Sequence, residues 1–189
     1  LHVFLPLKIT ISITGGNKME KLDFAVSPMF GFKVIGFERI FDPETSYSEI
    51  PKFWDELREK YLGAVWSGKK DLSEIGRAVK ENCVGEYGVC IDDIGGGKFR
   101  YLVAGKYCGG KVPAGMTLFE FPDLEWAKFS CVGPVPNALQ SVNTRIFREW
   151  LPGNPDYEMS AGYNIEWYDC DSMNGEDYKS AIWIPVKRK

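Results

Sequence analysis

Polar and apolar positions change period along the chain in an order that occurs twice. Phe32 to Arg39 reads as a strand, bounded by Gly31 and by Asp42-Pro43. Ser48 to Gly63 then takes helical spacing, with Ile50, Phe53 or Trp54, Leu57 and Tyr61 in one apolar stripe. Ser48 or Glu49 stands near the expected cap, Pro51 in the first turn and Gly63 at the expected stop. A shorter helix is predicted over Leu72 to Glu81, with Leu72, Ile75 and Val79 on one side. Two strands, Tyr87 to Asp92 and Phe99 to Tyr107, flank Gly95-Gly96-Gly97 as a hairpin. Those glycines precede Lys98, but the phosphate-loop spacing fails and no helix follows, so they read as a turn.

The second half follows the same plan. Glu125 to Val132 is a strand ended by Gly133-Pro134, and Asn137, just past Pro136, is placed to cap a helix. That helix runs to Trp150-Leu151 before Pro152-Gly153, with Leu139, Val142, Ile146, Phe147 and Trp150 as its stripe. Strands over Tyr157 to Asp169 and Ala181 to Lys187 enclose an acidic loop of Asp169, Asp171, Glu176 and Asp177. Ile50-Pro51 and Val135-Pro136 hold corresponding places. The predicted fold is α+β: two β-α-β-β modules related by a pseudo-twofold axis, whose antiparallel sheets enclose a central pocket. One domain spans residues 22–189, with module one at about 22–111 and module two at about 112–189. One helix on a three-stranded sheet buries little area, so neither module is expected to stand alone. Their junction is where a pocket is expected. Residues 1–21 read as an N-terminal extension of uncertain origin, native or not, because Met19-Glu20-Lys21 resembles a start. Within it Ile9, Ile11 and Ile13 alternate with Thr and Ser as a tethered strand would. Pro6 and Lys8 make the apolar run too short to span a bilayer and a poor signal peptide.

Composition narrows the chemistry. Hydrophobic residues at 44% and charged ones at 26% of 189 residues fit a cored globular domain. A net charge of −3 argues against a binder that works by neutralising phosphates. Five cysteines without a C-x-x-C pair suggest scattered buried thiols in a reducing, cytoplasmic setting, and no zinc ribbon. The one histidine is His2, so the domain has no imidazole for a Ser-His-Asp, Cys-His or H-E-x-x-H arrangement. No cofactor and no metal site is expected.

Tyr163-Asn164-Ile165-Glu166-Trp167-Tyr168 carries the remaining chemistry. Strand alternation puts Asn164, Glu166 and Tyr168 on one face, and Tyr163, Ile165 and Trp167 on the other. Glu166 then either faces water on a half-exposed strand or sits in a ring-lined space, where burial is costly without a cation or hydrogen bonds. The pattern alone leaves both open.

Five segments, taken in order, resemble the GyrI-like effector-binding domain family, also found at the C-termini of AraC- and MerR-type regulators. They are Val112-Pro113-Ala114-Gly115-Met116, Gly133-Pro134-Val135-Pro136-Asn137-Ala138-Leu139-Gln140, Glu149-Trp150-Leu151-Pro152, Ile165-Glu166-Trp167-Tyr168 and Ile182-Trp183-Ile184-Pro185-Val186. The nearest form is the stand-alone, integron-cassette-associated one, and the resemblance covers about residues 22–188. It implies a hydrophobic pocket for lipophilic, cationic, aromatic ligands, with Glu166 as the buried carboxylate. It also places Trp183 and Trp54 as pocket aromatics. Tyr168 joins them because it shares a face with Glu166, and Tyr107, Phe147 and Trp150 are further candidates. Ala181 departs from the acidic residue the family often has before the final motif, and residues 1–31 carry no helix-turn-helix pattern.

Three functions follow from this reading. The leading one is a module that sequesters or senses amphipathic cations, with no direct nucleic-acid or membrane contact. The second is a hydrolase of strained cyclopropanoid electrophiles with Glu166 as acid/base. The third is a topoisomerase-interacting inhibitor. Binding is favoured over catalysis. A separate regulator or a topoisomerase is the candidate protein partner, and the expected state is a monomer or weak dimer.

Overall fold

The computed structural model describes residues 21–169 and 175–189. The tethered strand proposed around Ile9, Ile11 and Ile13, the rest of the extension through residue 20, and Cys170 and Asp171 of the acidic loop lie outside the described residues. The elements run β1 (Phe24–Met29), β2 (Phe32–Phe41), α1 (Ser46–Leu57), α2 (Gly63–Trp66), α3 (Glu74–Glu81), β3 (Tyr87–Ile91), β4 (Phe99–Lys106) and β5 (Thr117–Phe121). They continue with β6 (Leu124–Val132), α4 (Asn137–Arg145), α5 (Leu151–Gly153), β7 (Tyr157–Met159), β8 (Tyr163–Tyr168) and β9 (Lys179–Arg188). A π-helical turn, Arg58–Leu62, joins α1 to α2, and a second, Ile146–Trp150, joins α4 to α5. The duplication therefore extends to the defect in each long helix.

The strands form one antiparallel sheet in the order β1-β6-β9-β8-β3-β4-β2-β5, with β7 beside β9. The block β6-β9-β8 mirrors β2-β4-β3, as a pseudo-twofold repeat requires. Two small sheets would leave open edges on β3 and β8. Here those edges pair, from Tyr87↔Trp167 to Ile91↔Tyr163, and fuse the halves into one sheet. β1 borders β6 of the second half, while β5 borders β2 of the first. The two linkers behind this exchange touch, since the Gly31 N–H donates to Asp123 Oδ1 at 2.6 Å.

The helices cover one face of the sheet. Phe53 and Leu57 of α1 pack with Phe41, Tyr101 and Val103, and Leu139 of α4 packs with Phe129, Ile182 and Ile184. The opposite face closes on itself: Phe121 of β5 meets Trp126 of β6 and Tyr163 of β8, each at 5.5 Å between ring centres. Trp126, with no exposed surface, is the largest side chain in that filling.

Several boundaries differ from those predicted. The first helix begins at Ser46, whose N–H donates to the Asp42 carbonyl at 2.9 Å, so Pro51 lies inside it. It does not end at Gly63, because that residue keeps a helical φ of −59° and Leu62 before it is fully buried. A glycine ends a helix by taking the left-handed conformation, which Gly63 does not. Asn137 is the first helical residue, and Pro136 stands at the cap. The strand predicted over 157–169 splits into β7 and β8, with Ser160 pinned to the Pro185 carbonyl at 3.0 Å. β1 and β5 are additional strands whose short apolar runs carry Pro28 and Glu120. Of the thiols, Cys90 and Cys131 are buried, but Cys83 and Cys108 are exposed.

Candidate functional site

A cavity of about 620 Å³ lies on the helix-covered face, over the seam where β3 meets β8. Its walls are α1, through Tyr47, Ile50 and Trp54, and the start of α4, through Pro136, Leu139 and Gln140. Its floor is made by Cys90, Tyr101, Asn164, Glu166 and Tyr168. The gap exists because α1 and α4 each pack on their own half, leaving the junction between them unfilled.

Glu166 is the centre of the floor. Its Oε2 accepts hydrogen bonds from the Tyr101 hydroxyl at 2.8 Å and the Tyr168 hydroxyl at 2.9 Å. Tyr101 in turn accepts from Trp54 Nε1 at 3.0 Å, and Trp54 meets the Tyr168 ring edge-on at 5.4 Å. Indole, phenol, carboxylate and phenol thus form one chain spanning both halves of the molecule. Backbone register makes room for it. Gly88 is paired with Glu166 across β3 and β8, and a Cβ on Gly88 would lie 2.6 Å from Glu166 Oε2 and closer still to the Tyr101 hydroxyl. Only a residue without a side chain fits there.

Burial raises the Glu166 pKa above the ordinary carboxylate value, partly offset by the two phenol hydrogen bonds, which favour the anion. Burial, followed by the charge of Glu166, pushes both Tyr101 and Tyr168 well up, so they remain donors. The Cys90 thiol is pushed up for the same two reasons and stays protonated. Tyr47, partly exposed at the rim, is raised by burial and then by Glu166. Glu166 takes part in none of the ion pairs found among the described residues. Arg58, which reaches the cavity wall, is held by Asp55 at 2.6 Å.

Three of the seven candidate residues meet here: Glu166, Tyr168 and Trp54. Trp183 does not. Its register partner on β8 is Ile165, so it shares the opposite face with Tyr87, and Lys128 Nζ sits 4.3 Å over its ring. Tyr107 follows β4 and donates its hydroxyl to the Gly110 carbonyl, away from the cavity. Phe147 and Trp150 fill the core of the second half, Trp150 against Phe24 and Phe129 at 5.0 and 4.9 Å. Residues that the sequence reading missed include Tyr101, Tyr47, Cys90 and Asn164. The alternation of β4 and the glycine at position 88 were visible signals, but only the β3–β8 register shows that Tyr101 reaches Glu166. Among the described residues, no cluster of three or more His, Cys, Asp or Glu could hold a metal ion. No described helix is long and apolar enough to cross a membrane.

SAV2435, solved bound to tetraphenylphosphonium, superposes with a TM-score of 0.70 at 18% identity, covering 87% of this chain and 94% of its own. An integron cassette protein from the mobile metagenome of Vibrio cholerae gives 0.61 at 13% identity, over 87% of this chain and 95% of its own. EcmrR, solved in complex with DNA, gives 0.52 at 15% identity, over 89% of this chain and 58% of its own. At these identities the likeness is one of fold. Among curated proteins, none matches the chain. The family described as integron-associated effector binding protein matches residues 30–186, and the chain belongs to that family.

Proposed function

We propose that this protein binds lipophilic aromatic cations in the cavity over the β3–β8 seam, with Glu166 as the counter-charge, and so sequesters or senses them. One observation carries the reading: a carboxylate at the base of an aromatic cavity is held by two phenols and, among the described residues, by no cationic side chain. Two phenol hydrogen bonds orient the anion without neutralising it. A ligand cation that replaces water there meets a charge in a weakly screened setting. Trp54, Tyr47 and Tyr168 add ring faces and edges, and a cation over a ring face is worth about 0.5–2 kcal/mol. Charge supplies direction and ring burial supplies most of the affinity, a combination that tolerates varied ligand shapes. The tetraphenylphosphonium held by SAV2435 is a ligand of this description.

Catalysis is a second reading, favoured by the raised pKa of Glu166, which suits proton transfer nearer neutrality. Glu166-dependent turnover of a strained electrophile would be its mark.

The test compares tetraphenylphosphonium with neutral triphenylphosphine oxide on wild type and Glu166→Gln. Wild type prefers the cation, and at about a hundred times its dissociation constant the cation stabilises the fold by about 2.7 kcal/mol. Glu166→Gln loses about 2 kcal/mol or more of cation binding and little of the neutral ligand's. Equal losses for both ligands would sink the reading.

A further inference from the structure

The cavity lies on a pseudo-twofold seam, yet its two halves differ in chemistry. The β3–β8 ladder is symmetric about the pair Val89↔Ile165. At one end the Tyr168 N–H donates to the Glu86 carbonyl, and at the other the Asp92 N–H donates to the Gly162 carbonyl, each at 2.9 Å. That symmetry carries Glu166 onto Cys90, each one residue past the central pair, and both line the floor of the cavity. It also carries Tyr101, the partner of Cys90 on β4, onto Ile182, the partner of Glu166 on β9. Where one half has a carboxylate and a phenol, the other has a buried thiol that stays protonated and a buried isoleucine. The walls repeat the contrast. α1 brings Trp54 and Tyr47, together with Asp55 already paired to Arg58 at 2.6 Å. Among the described lining residues, the α4 side brings only uncharged ones, Val135, Leu139 and Gln140 among them.

We propose that the α4 half of the cavity is a separate neutral subsite, and that the protein selects one-headed cations. The charged group lies beside Glu166 and Trp54, and an uncharged apolar group fills the α4 half against Val135, Leu139 and Cys90. This rests on the cation-binding reading and narrows it to one charge pattern. Diagonal neighbours across an antiparallel strand pair lie about 7 Å apart, so Glu166 and Cys90 are within the span of one substituted ring. A ligand that reaches both halves places its second end where no counter-charge stands. An apolar end gains from burial there. A second cationic end loses its water and meets no anion, so a bis-cation of the same shape is rejected. Glu166 sets which charge is accepted, and the α4 half sets how many.

Three ligands on one scaffold test this. Benzyltrimethylammonium carries the head alone, and its para-neopentyl derivative adds an uncharged group. Para-xylylene-bis(trimethylammonium) has the shape of that derivative with a second charge. Calorimetric titration of wild type at neutral pH should show the para-neopentyl derivative binding about tenfold tighter, or more, than either of the others. Gln140→Glu, a near-isosteric change at a half-buried helix position, puts a carboxylate in the α4 half. It should move the ratio of bis-cation to para-neopentyl affinity about tenfold towards the bis-cation. Val135→Ala should cut the advantage of the para-neopentyl derivative over benzyltrimethylammonium about threefold or more. Ile50→Ala, on the α1 wall one turn before Trp54, should weaken both and leave their ratio in place. The inference is overturned if wild type binds the bis-cation as tightly as the para-neopentyl derivative, or if Gln140→Glu leaves their ratio unmoved. It is equally overturned if Val135→Ala and Ile50→Ala cut the advantage alike. Any of these results with binding that still falls on Glu166→Gln defeats only this inference. Binding of none of the three ligands defeats the cation reading and this inference together.

Discussion

β8 presents two aromatic-rich faces with opposite fates. Tyr163, Ile165 and Trp167 face the side where the sheet curls on itself, and rings from β5, β6 and β9 fill it. Asn164, Glu166 and Tyr168 face the helices, where α1 and α4 each seal their own half and leave the seam open. On the filled face Trp167 Nε1 donates to Glu86 Oε1 at 3.0 Å and Lys128 lies over Trp183, while the buried Trp126 Nε1 has no partner. The open face holds a carboxylate that pairs with no cationic side chain among the described residues. Aromatic richness thus does not distinguish a core from a site. The difference lies in whether covering elements meet over the strand and whether a carboxylate lies beneath the gap they leave.

The sharpest way to break this contrast is at Gly88. Gly88→Val drives a side chain into Tyr101 and Glu166, and should abolish cation binding, a loss of about 3 kcal/mol or more. The fold itself loses about 1–3 kcal/mol, the usual cost of overpacking. Titration alongside urea unfolding reads both, and near-wild-type binding would show that the hydrogen-bonded chain on the floor is dispensable. Trp183→Leu probes the filled face. It should cost about 1–2 kcal/mol of stability by urea unfolding. Cation affinity should stay within about 0.5 kcal/mol, because the residue lies across the sheet from Glu166. A large drop in affinity with unchanged stability would return Trp183 to the site. Tyr101→Phe makes the smallest change. It removes a hydrogen bond that favours the Glu166 anion, so the Glu166 pKa climbs further and the pH at which cations begin to bind moves upward. Well above that range, affinity should fall by only about 1 kcal/mol. A pH series of titrations shows the shift, and a midpoint that stays put contradicts it.

Much of the fold was legible because its elements carry local signals. The helix stripes of Ile50, Phe53 and Leu57 and of Leu139 and Ile146, and the glycine turn before Lys98, needed no tertiary information. Glu166, Tyr168 and Trp54 were legible because one strand's alternation, one helix's stripe and the family motifs pointed to them. What was not legible depends on register between distant strands. Trp183 and Ile182 are neighbours in a motif, but a one-residue step in a strand reverses the face. Only pairing of Trp183 with Ile165 shows which residue points toward the helices. Tyr101 was hidden for the same reason, since the β3–β8 seam that brings it to Glu166 joins residues far apart in the chain. Trp150 and Phe147 sit at helical spacing that fits core and pocket equally, and the core of the second half claimed them.

The central claim is that the Glu166 carboxylate, raised in pKa by burial, is the charge that a ligand cation meets. A bound cation favours the anion and lowers that pKa, so binding near the ordinary carboxylate range must expel a proton. Affinity then rises with pH through the Glu166 range and levels off above it. Calorimetric titration with tetraphenylphosphonium in two buffers of different ionisation enthalpy counts the protons directly. Binding should release a measurable fraction of a proton at lower pH, less as the pH rises, and Glu166→Gln should release none at any pH. No proton release by wild type at the lower pH, or a release that survives Glu166→Gln, would contradict the account.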